Sequence, residues 1–126
     1  MNGILLVDKP ADWTSNDVVC KLKGVLHERR IGHSGTLDPM ATGLLPVFVG
    51  RATKAVEFAE NDRKTYIAAI TFGLVTDTQD ITGNVLSECA CSVSEEEFTK
   101  AAEAFLGEIK QVPPMYSALK HKGRRL

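Results

Sequence analysis

The sequence predicts an α+β fold with a largely antiparallel sheet. Apolar runs typical of buried strands lie at residues 4–7 and 45–49, and helical patterns stand between strands without a regular β-α-β alternation. With 126 residues, 44% of them hydrophobic, the chain has the size and the apolar content for one core. These observations favour a single domain of mixed strands and helices.

The first forty residues divide into a strand, a helix and a strand with a loop. Residues 4–7 predict a strand that ends at Pro10. Thr14, followed by Asp17 three residues later, predicts a helix start ahead of an apolar stripe. The segment 30–42 has no helical period, so it is predicted as strand plus loop.

The middle of the chain is predicted mainly as strands. Residues 45–49 form a buried strand closed by Gly50, and a helix follows at 52–59. The segment 64–73 is the clearest strand, since most of its residues are apolar or favour β-structure. A polar loop at 76–84 leads into a further strand.

The strand after the polar loop lies near residues 85–89, and the best-defined helix comes next. Ser94 and Glu97 have the spacing of a capping box, and apolar residues recur at helical spacing as far as 106. Gly107 supplies the stop. The sequence therefore predicts a helix over residues 94–106.

Charge and composition set further limits. The net charge is −1, which does not mark the whole chain as a nucleic-acid binder. No apolar run is long enough to span a membrane and no secretory signal begins the chain, so a cytoplasmic location is expected. The three cysteines are expected to be reduced and partly buried, and the spacing of Cys89 and Cys91 is too close for a zinc knuckle.

Positive charge is concentrated at the C-terminal end. From residue 110 onwards there is no acidic residue, and five basic ones occur: Lys110, Lys120, Lys122, Arg124 and Arg125. Such a segment suits phosphate groups, but a solvated tail would have the same composition.

The segment from Gly32 to Pro39 is the most informative feature. It reads Gly-His-Ser-Gly-Thr-Leu-Asp-Pro and presents one carboxylate, Asp38, in a segment with two glycines. The proline fixes its own φ and favours an extended Asp38. The same composition also describes an ordinary turn, but a carboxylate held in this way can act as a nucleophile or a base.

This segment, with the Ala-Thr-Gly-Leu-Leu-Pro that follows at 41–46, resembles the catalytic signature of TruB-type tRNA pseudouridine-55 synthases. Other matches occur in the same order along the chain: 3–10, 52–54, 64–66, 76–80 and 111–120. The resemblance implies the pseudouridine synthase fold, a curved and mostly antiparallel mixed sheet with flanking helices, incomplete in this chain. It implies isomerisation of uridine in the T arm of tRNA, with Asp38 as the catalytic carboxylate, without a metal or cofactor.

The resemblance also assigns RNA-binding roles. His33 would insert into the RNA to hold the target base out of its stack, although a loop histidine bonded to backbone is the alternative. Tyr66 would stack on the uracil, or else be an ordinary strand tyrosine. Asp80 would lie near the base edge or support its own loop, and Asp77 is equally well explained by an Asx turn.

Structural positions near the site are Lys9, Pro10, Gly35 and Lys54. Lys9 would tie the first strand beneath the active loop, although a surface lysine is the more ordinary interpretation. Residues from about 110 to 126 would begin the RNA-binding thumb insertion. Their tRNA contacts would come from Tyr116, Lys120, Lys122, Arg124 and Arg125.

The remaining expectations concern what lies beyond the chain. The family continues with an arginine that pairs with the catalytic aspartate, and often with a C-terminal RNA-binding domain. This chain is therefore interpreted as the N-terminal portion of the catalytic domain, inactive by itself and marginally stable, of an enzyme that is monomeric at full length. The alternative is an RNA-hairpin-binding fragment without chemistry. A phosphohydrolase is disfavoured because residues 32–40 contain a single acid.

Overall fold

The computed structural model describes residues 1–59, 63–111, 120–121 and 124–125, the last four by their backbone alone. The chain divides into two compact units, Met1–Tyr66 and Ile67–Leu126. Within the described segments, no helix has the length and apolar character to cross a membrane.

The first unit contains a three-stranded antiparallel sheet. Its strands are β1 (Gly3–Lys9), β2 (Ile31–His33) and β3 (Gly43–Val49), in the order β1-β3-β2. In the register of the last pair, His33 lies opposite Val47. The predicted strands at 4–7 and 45–49 are confirmed, and so is the strand plus loop at 30–42.

Helix α1 (Ser15–Leu26) follows β1 and begins as predicted. The Asp17 amide donates to Thr14 Oγ1 at 3.1 Å, and the Thr14 amide donates to Asp17 Oδ2 at 2.8 Å, which completes a capping box. These hydrogen bonds satisfy two backbone donors at the helix start. The Thr14 hydroxyl, which donates to Asp17 Oδ2 at 2.6 Å, is the main cause of the lowered pKa of the Asp17 carboxyl, followed by the Thr14 amide. The buried core joins this helix to the sheet through Val18, Val19, Ile31, Leu45, Val47 and Val49.

The helix predicted at 52–59 is only partly present. Residues Gly50–Ala55 form a 3₁₀ helix, and α2 covers only Val56–Ala59. Gly50 has φ +64°, and a β carbon there would clash with the carbonyl oxygen of Met1. The chain leaves β3 through this tight glycine turn, and the tighter 3₁₀ winding follows directly.

The second unit has a small antiparallel pair and one helix. The strands are β4 (Leu74–Thr76) and β5 (Val85–Glu88), and the helix is α3 (Glu95–Glu103). The predicted loop, the strand near 85–89 and the capping box of Ser94 with Glu97 are confirmed, although the helix ends earlier than predicted. The Phe72 and Phe98 rings pack edge to face with centroids 5.9 Å apart.

The strand predicted at 64–73 is wrong. Residues 63–71 have no sheet partner in the described part of the chain, and their apolar side chains are largely exposed, with Tyr66 at 65%. A β-favouring sequence forms a strand only when a neighbouring strand pairs with it. The three cysteines, which were expected to be partly buried, are all exposed.

At the C-terminal end, two-residue strands β6 (Lys120–His121) and β7 (Arg124–Arg125) pair antiparallel. All strand pairs in the described residues are antiparallel, so the predicted α+β fold class is confirmed.

Candidate active site

Asp38 lies in the loop between β2 and β3, with its side chain exposed to solvent. The loop leaves the sheet at Ser34, whose amide donates to the Pro46 carbonyl at 3.0 Å. After Asp38 the chain turns, and the Ala41 amide donates to the Asp38 carbonyl at 3.0 Å. No side chain in the described residues forms a hydrogen bond or ion pair with the Asp38 carboxylate, so its oxygens face solvent.

Lys9, the last residue of β1, supports the backbone of this loop. Its side chain is 0% exposed, and its Nζ donates to three carbonyls, those of Pro10 at 2.9 Å, Trp13 at 2.6 Å and Pro39 at 3.1 Å. An ammonium group has three N–H donors, so the three carbonyls offset the cost of burying its charge. The surface position expected as the more ordinary one for Lys9 is therefore wrong.

The Pro39 carbonyl also accepts a hydrogen bond from a backbone amide. The Asp12 amide donates to the Pro39 oxygen at 2.8 Å, so this oxygen accepts two hydrogen bonds, one from the last residue of β1 and one from the turn that follows it. The residue that follows Asp38 is thus fixed by donors about thirty positions earlier in the chain.

His33, the last residue of β2, is half-buried, and its ring lies against the loop that follows. Its Nδ1 is within hydrogen-bonding distance of the Gly35 carbonyl. A carbonyl can only accept, so Nδ1 is the donor, and Nε2 is left for another partner. Of the two interpretations of His33, the structure contains the backbone-bonded one.

The side chain of Lys64 lies close to Gly35. Gly35 has φ +74°, a left-handed conformation that glycine adopts without strain. A β carbon at this position would be 3.9 Å from both Cε and Nζ of Lys64. The sequence match at 64–66 drew attention to Tyr66, whereas Lys64 is the member of that segment whose side chain reaches the loop.

Ser15, the first residue of α1, is another contact that the sequence analysis missed. Its side chain is 2% exposed, and its Oγ accepts from the Leu37 amide at 3.0 Å. The signal available in the sequence was a hydroxyl residue directly after the cap of a helix, which by itself indicates only a helix start.

The other predicted positions of the first unit are exposed. Pro10 contributes its carbonyl to Lys9, and Lys54 projects from the 3₁₀ helix. Tyr66 is exposed in the segment wrongly predicted as a strand. The structure thus gathers Lys9, Pro10, His33 and Gly35 around the loop of Asp38, and it records no such contact for Lys54 or Tyr66 in the described residues.

In the second unit, Asp80 holds its own loop. Its Oδ1 accepts from Thr78 Oγ1 at 2.7 Å, from the Thr82 amide at 2.8 Å and from Thr82 Oγ1 at 2.6 Å. The Thr82 hydroxyl is the main reason why the pKa of Asp80 is lowered, followed by the Thr78 hydroxyl. The bond to the amide two residues on makes Asp80 the Asx-turn residue.

Asp77 closes the same loop over a longer distance. Its carboxylate accepts from Asn84 Nδ2 at 3.0 Å and from the Asn84 amide at 2.9 Å. The Asn84 side chain is the largest cause of the lowered pKa of Asp77. The Asx turn predicted for Asp77 is therefore wrong, since its amide partner is seven residues away.

The predicted RNA contacts near the C-terminus fall into two groups. Tyr116 and Lys122 lie outside the described residues. For Lys120, Arg124 and Arg125 only the backbone is described, and Lys120 pairs with Arg125 across β6 and β7.

Charged groups near the loop are few. In the portion of the chain with described side chains, one ion pair occurs, between the Met1 amino group and Glu28 at 3.4 Å, so neither Arg29 nor Arg30 pairs with Asp38. No group of three His, Cys, Asp or Glu side chains gathers within that portion. The site is thus an exposed carboxylate on a fixed backbone, an arrangement suited to nucleophilic attack or proton removal.

Comparison with solved structures finds a similar fold. A chain of a Cbf5-Nop10-Gar1 complex matches 94% of this chain and 31% of its own length, with a TM-score of 0.63 and 29% identity. The similarity covers both units and supports the fold class assigned above.

Sequence comparison gives closer relatives. The tRNA pseudouridine synthase B of Clostridium novyi (strain NT) is 51% identical over all of this chain, which spans 44% of that relative. The tRNA pseudouridine synthase B of Lactococcus lactis subsp. lactis (strain IL1403) is 47% identical over all of this chain, which spans 39% of that relative. The chain thus spans about two fifths of the length of the curated relatives it matches.

A family model described as "TruB family pseudouridylate synthase (N terminal domain)" matches residues 23–126. That match includes the loop of Asp38 and both structural units in large part. With an exposed carboxylate on a doubly anchored loop, and with relatives about half identical across its whole length, this chain belongs to the TruB family of pseudouridylate synthases.

Proposed function

We propose that this chain supplies the catalytic carboxylate of a tRNA pseudouridine synthase that isomerises uridine 55 in the T arm. The observation that carries the proposal is Asp38: its side chain is free in solvent while its neighbours in the chain are hydrogen-bonded to distant residues. The synthases of Clostridium novyi and Lactococcus lactis, which are about half identical to this chain, support the reaction class.

The reaction breaks the bond between N1 of uracil and C1′ of ribose and forms a bond from C5 to C1′. The proton on C5 is lost and N1 gains one, so the product is an isomer and no group is added. The conversion therefore proceeds without a metal or organic cofactor. Asp38 acts either as the nucleophile at C1′ or as the base that removes the 2′ proton, and both roles require a free carboxylate oxygen.

The RNA would approach the exposed side of this loop. His33 would leave the Gly35 carbonyl and insert where the flipped base had been, because an aromatic ring can fill the gap in the stack. Tyr66, whose ring is exposed, is free to stack on the extruded uracil. Asp80 keeps its loop rigid near the base edge.

Backbone contacts to the tRNA would come from the basic C-terminal segment, with Tyr116, Lys120, Lys122, Arg124 and Arg125 contributing salt-dependent affinity. The enzyme would act as a monomer in the cytoplasm.

The test uses residues 1–126 joined to the part of the Clostridium novyi relative that follows the matched region, since the chain spans 44% of that relative. Tritium release from tRNA labelled at C5 of uridine measures turnover. We expect the fusion to release tritium, and Asp38→Asn to lower the rate by at least about a thousandfold with unchanged tRNA binding. Asp8→Asn is the matched control, because Asp8 is an exposed aspartate on β1.

Two results would count against this function. If the fusion binds tRNA but neither it nor the variant releases tritium, an RNA-hairpin-binding role without chemistry is the better explanation. If Asp38→Asn keeps full activity, another group is the catalytic carboxylate. The 126-residue chain by itself is expected to bind without turnover.

A further inference from the structure

Ser15 makes two hydrogen bonds to a single residue of the loop of Asp38. Its Oγ accepts from the Leu37 amide at 3.0 Å and donates to the Leu37 carbonyl at 3.4 Å. A serine hydroxyl has one hydrogen and two acceptor lone pairs, so it forms both bonds at once. The side chain therefore pairs with the loop backbone much as a neighbouring strand would.

The position of Leu37 gives this contact its importance. Leu37 directly precedes Asp38, and its side chain packs against the core formed by α1 and the sheet. On the other side, the Pro39 carbonyl is held by Lys9 Nζ and by the Asp12 amide. The residues on either side of Asp38 are thus held from two separate places, Leu37 by the first residue of α1 and Pro39 by Lys9 and Asp12.

The Ser15 contact is also protected from water. Ser15 is 2% exposed and Leu37 is half-buried, so water does not readily replace the hydroxyl if it is lost. The Leu37 amide would then lack a partner, and a buried donor without one favours a shifted backbone.

We propose that Ser15 is a positioning residue for the Asp38 carboxylate. It fixes the backbone on the N-terminal side of Asp38, acts only through Leu37, and touches no substrate. The part of this proposal that concerns the reaction rests on the proposed function. A displacement of the carboxylate by about 1 Å can lower the reaction rate about a hundredfold, because the reacting atoms must be aligned.

The first test measures hydrogen exchange of the Leu37 amide in the 126-residue chain. In Ser15→Ala we expect this amide to exchange at least about tenfold faster, while the amides of β3 stay protected. Ser94→Ala is the matched control, because it makes the same change at a helix start and the Ser94 side chain bonds only with Glu97. Ser94→Ala should leave Leu37 exchange unchanged.

The second test measures single turnover and tRNA binding in the fusion with the Clostridium novyi relative. Ser15→Ala should lower the single-turnover rate about ten- to a hundredfold and leave the dissociation constant for tRNA unchanged. Ser94→Ala should keep the rate of the parent protein. A merely structural role for Ser15 would lower the folded fraction and leave the rate per folded molecule unchanged.

The outcomes separate the two proposals. Unchanged Leu37 exchange in Ser15→Ala, or faster exchange with an unchanged turnover rate, overturns the positioning role. An unsubstituted fusion without activity counts against the proposed function, whereas the exchange of Leu37 still decides whether Ser15 holds the loop.

Discussion

The loop of Asp38 and the loop at 77–84 both contain aspartates, and they are held in opposite ways. The loop of Asp38 is fixed by residues 22 to 30 positions away in the sequence, through Ser15 and Lys9. The loop at 77–84 is fixed by its own side chains, with hydrogen bonds that span seven residues or fewer. The first loop depends on the packing of the unit around it, and the second depends on its local sequence.

The difference determines what each carboxylate can do. Asp77 and Asp80 use their oxygens to accept hydrogen bonds from their own loop, which leaves less capacity for a ligand. The Asp38 carboxylate accepts no hydrogen bond within the described residues. The side chains of Ser15 and Lys9 fix this loop by bonding to its backbone atoms instead. A catalytic carboxylate benefits from such external support, since it is rigid and still free to react.

The largest effect on stability is expected from Lys9→Met. The substitution leaves three carbonyls, including that of Pro39, without their common donor, and we expect a loss of about 3 kcal/mol in the free energy of unfolding. Urea denaturation followed by the fluorescence of Trp13, the single tryptophan, measures this loss directly.

Lys23→Met is the control for that experiment. Lys23 is exposed on α1, so the same change of side chain should alter the free energy of unfolding by less than about 0.5 kcal/mol. Equal effects of the two substitutions would show that the buried contacts of Lys9 do not hold the loop.

A smaller effect is expected from Gly35→Ala. The new β carbon meets only ordinary contacts, with Lys64 at 3.9 Å, but φ +74° is unfavourable for alanine, so we expect a loss of about 1 kcal/mol. Gly24→Ala should have the opposite sign, a gain of about 1 kcal/mol, because Gly24 lies inside α1 with no atom within 4 Å of the new carbon. Thermal unfolding of both variants compares them, and a gain for Gly35→Ala would refute the strain argument.

The difference between local and distant contacts also explains which features the sequence could predict. The helix starts at Thr14 and Ser94 depend on partners three residues away, so spacing was enough to find them. A strand at 64–73 would need a neighbouring strand to pair with, and the described residues contain none. The β propensity of this segment alone therefore gave a wrong prediction.

The site divides in the same way. Asp38 was found through its motif, and its free carboxylate then became visible in the structure. The contacts from Ser15 to Leu37 and from Lys9 to Pro39 join segments whose proximity follows from the fold, so no spacing rule indicates them. Long-range hydrogen bonds to backbone leave little trace in the sequence, because almost any residue offers a carbonyl.

The smallest expected effect is a difference between the two loops in acid. Hydrogen bonds lower the pKa of Asp77 and Asp80. The stability that these bonds give their loop is therefore fully present above the ordinary aspartate pKa of about 4. It is lost as the pH falls through the lowered values, because protonation removes the charged acceptors. The loop of Asp38 is held by Ser15, Lys9 and a backbone amide, and no carboxylate takes part in these contacts.

Amide exchange followed from pH 5 downwards tests this difference. The amides of Thr82 and Asn84, which donate to the two carboxylates, should lose protection below about pH 4 before the Leu37 amide does. The amide of Val47, in the core strand β3, reports global unfolding and sets the range in which the comparison is valid. If Leu37 loses protection together with Thr82 while Val47 stays protected, the loop of Asp38 also depends on a carboxylate, and its support is not external.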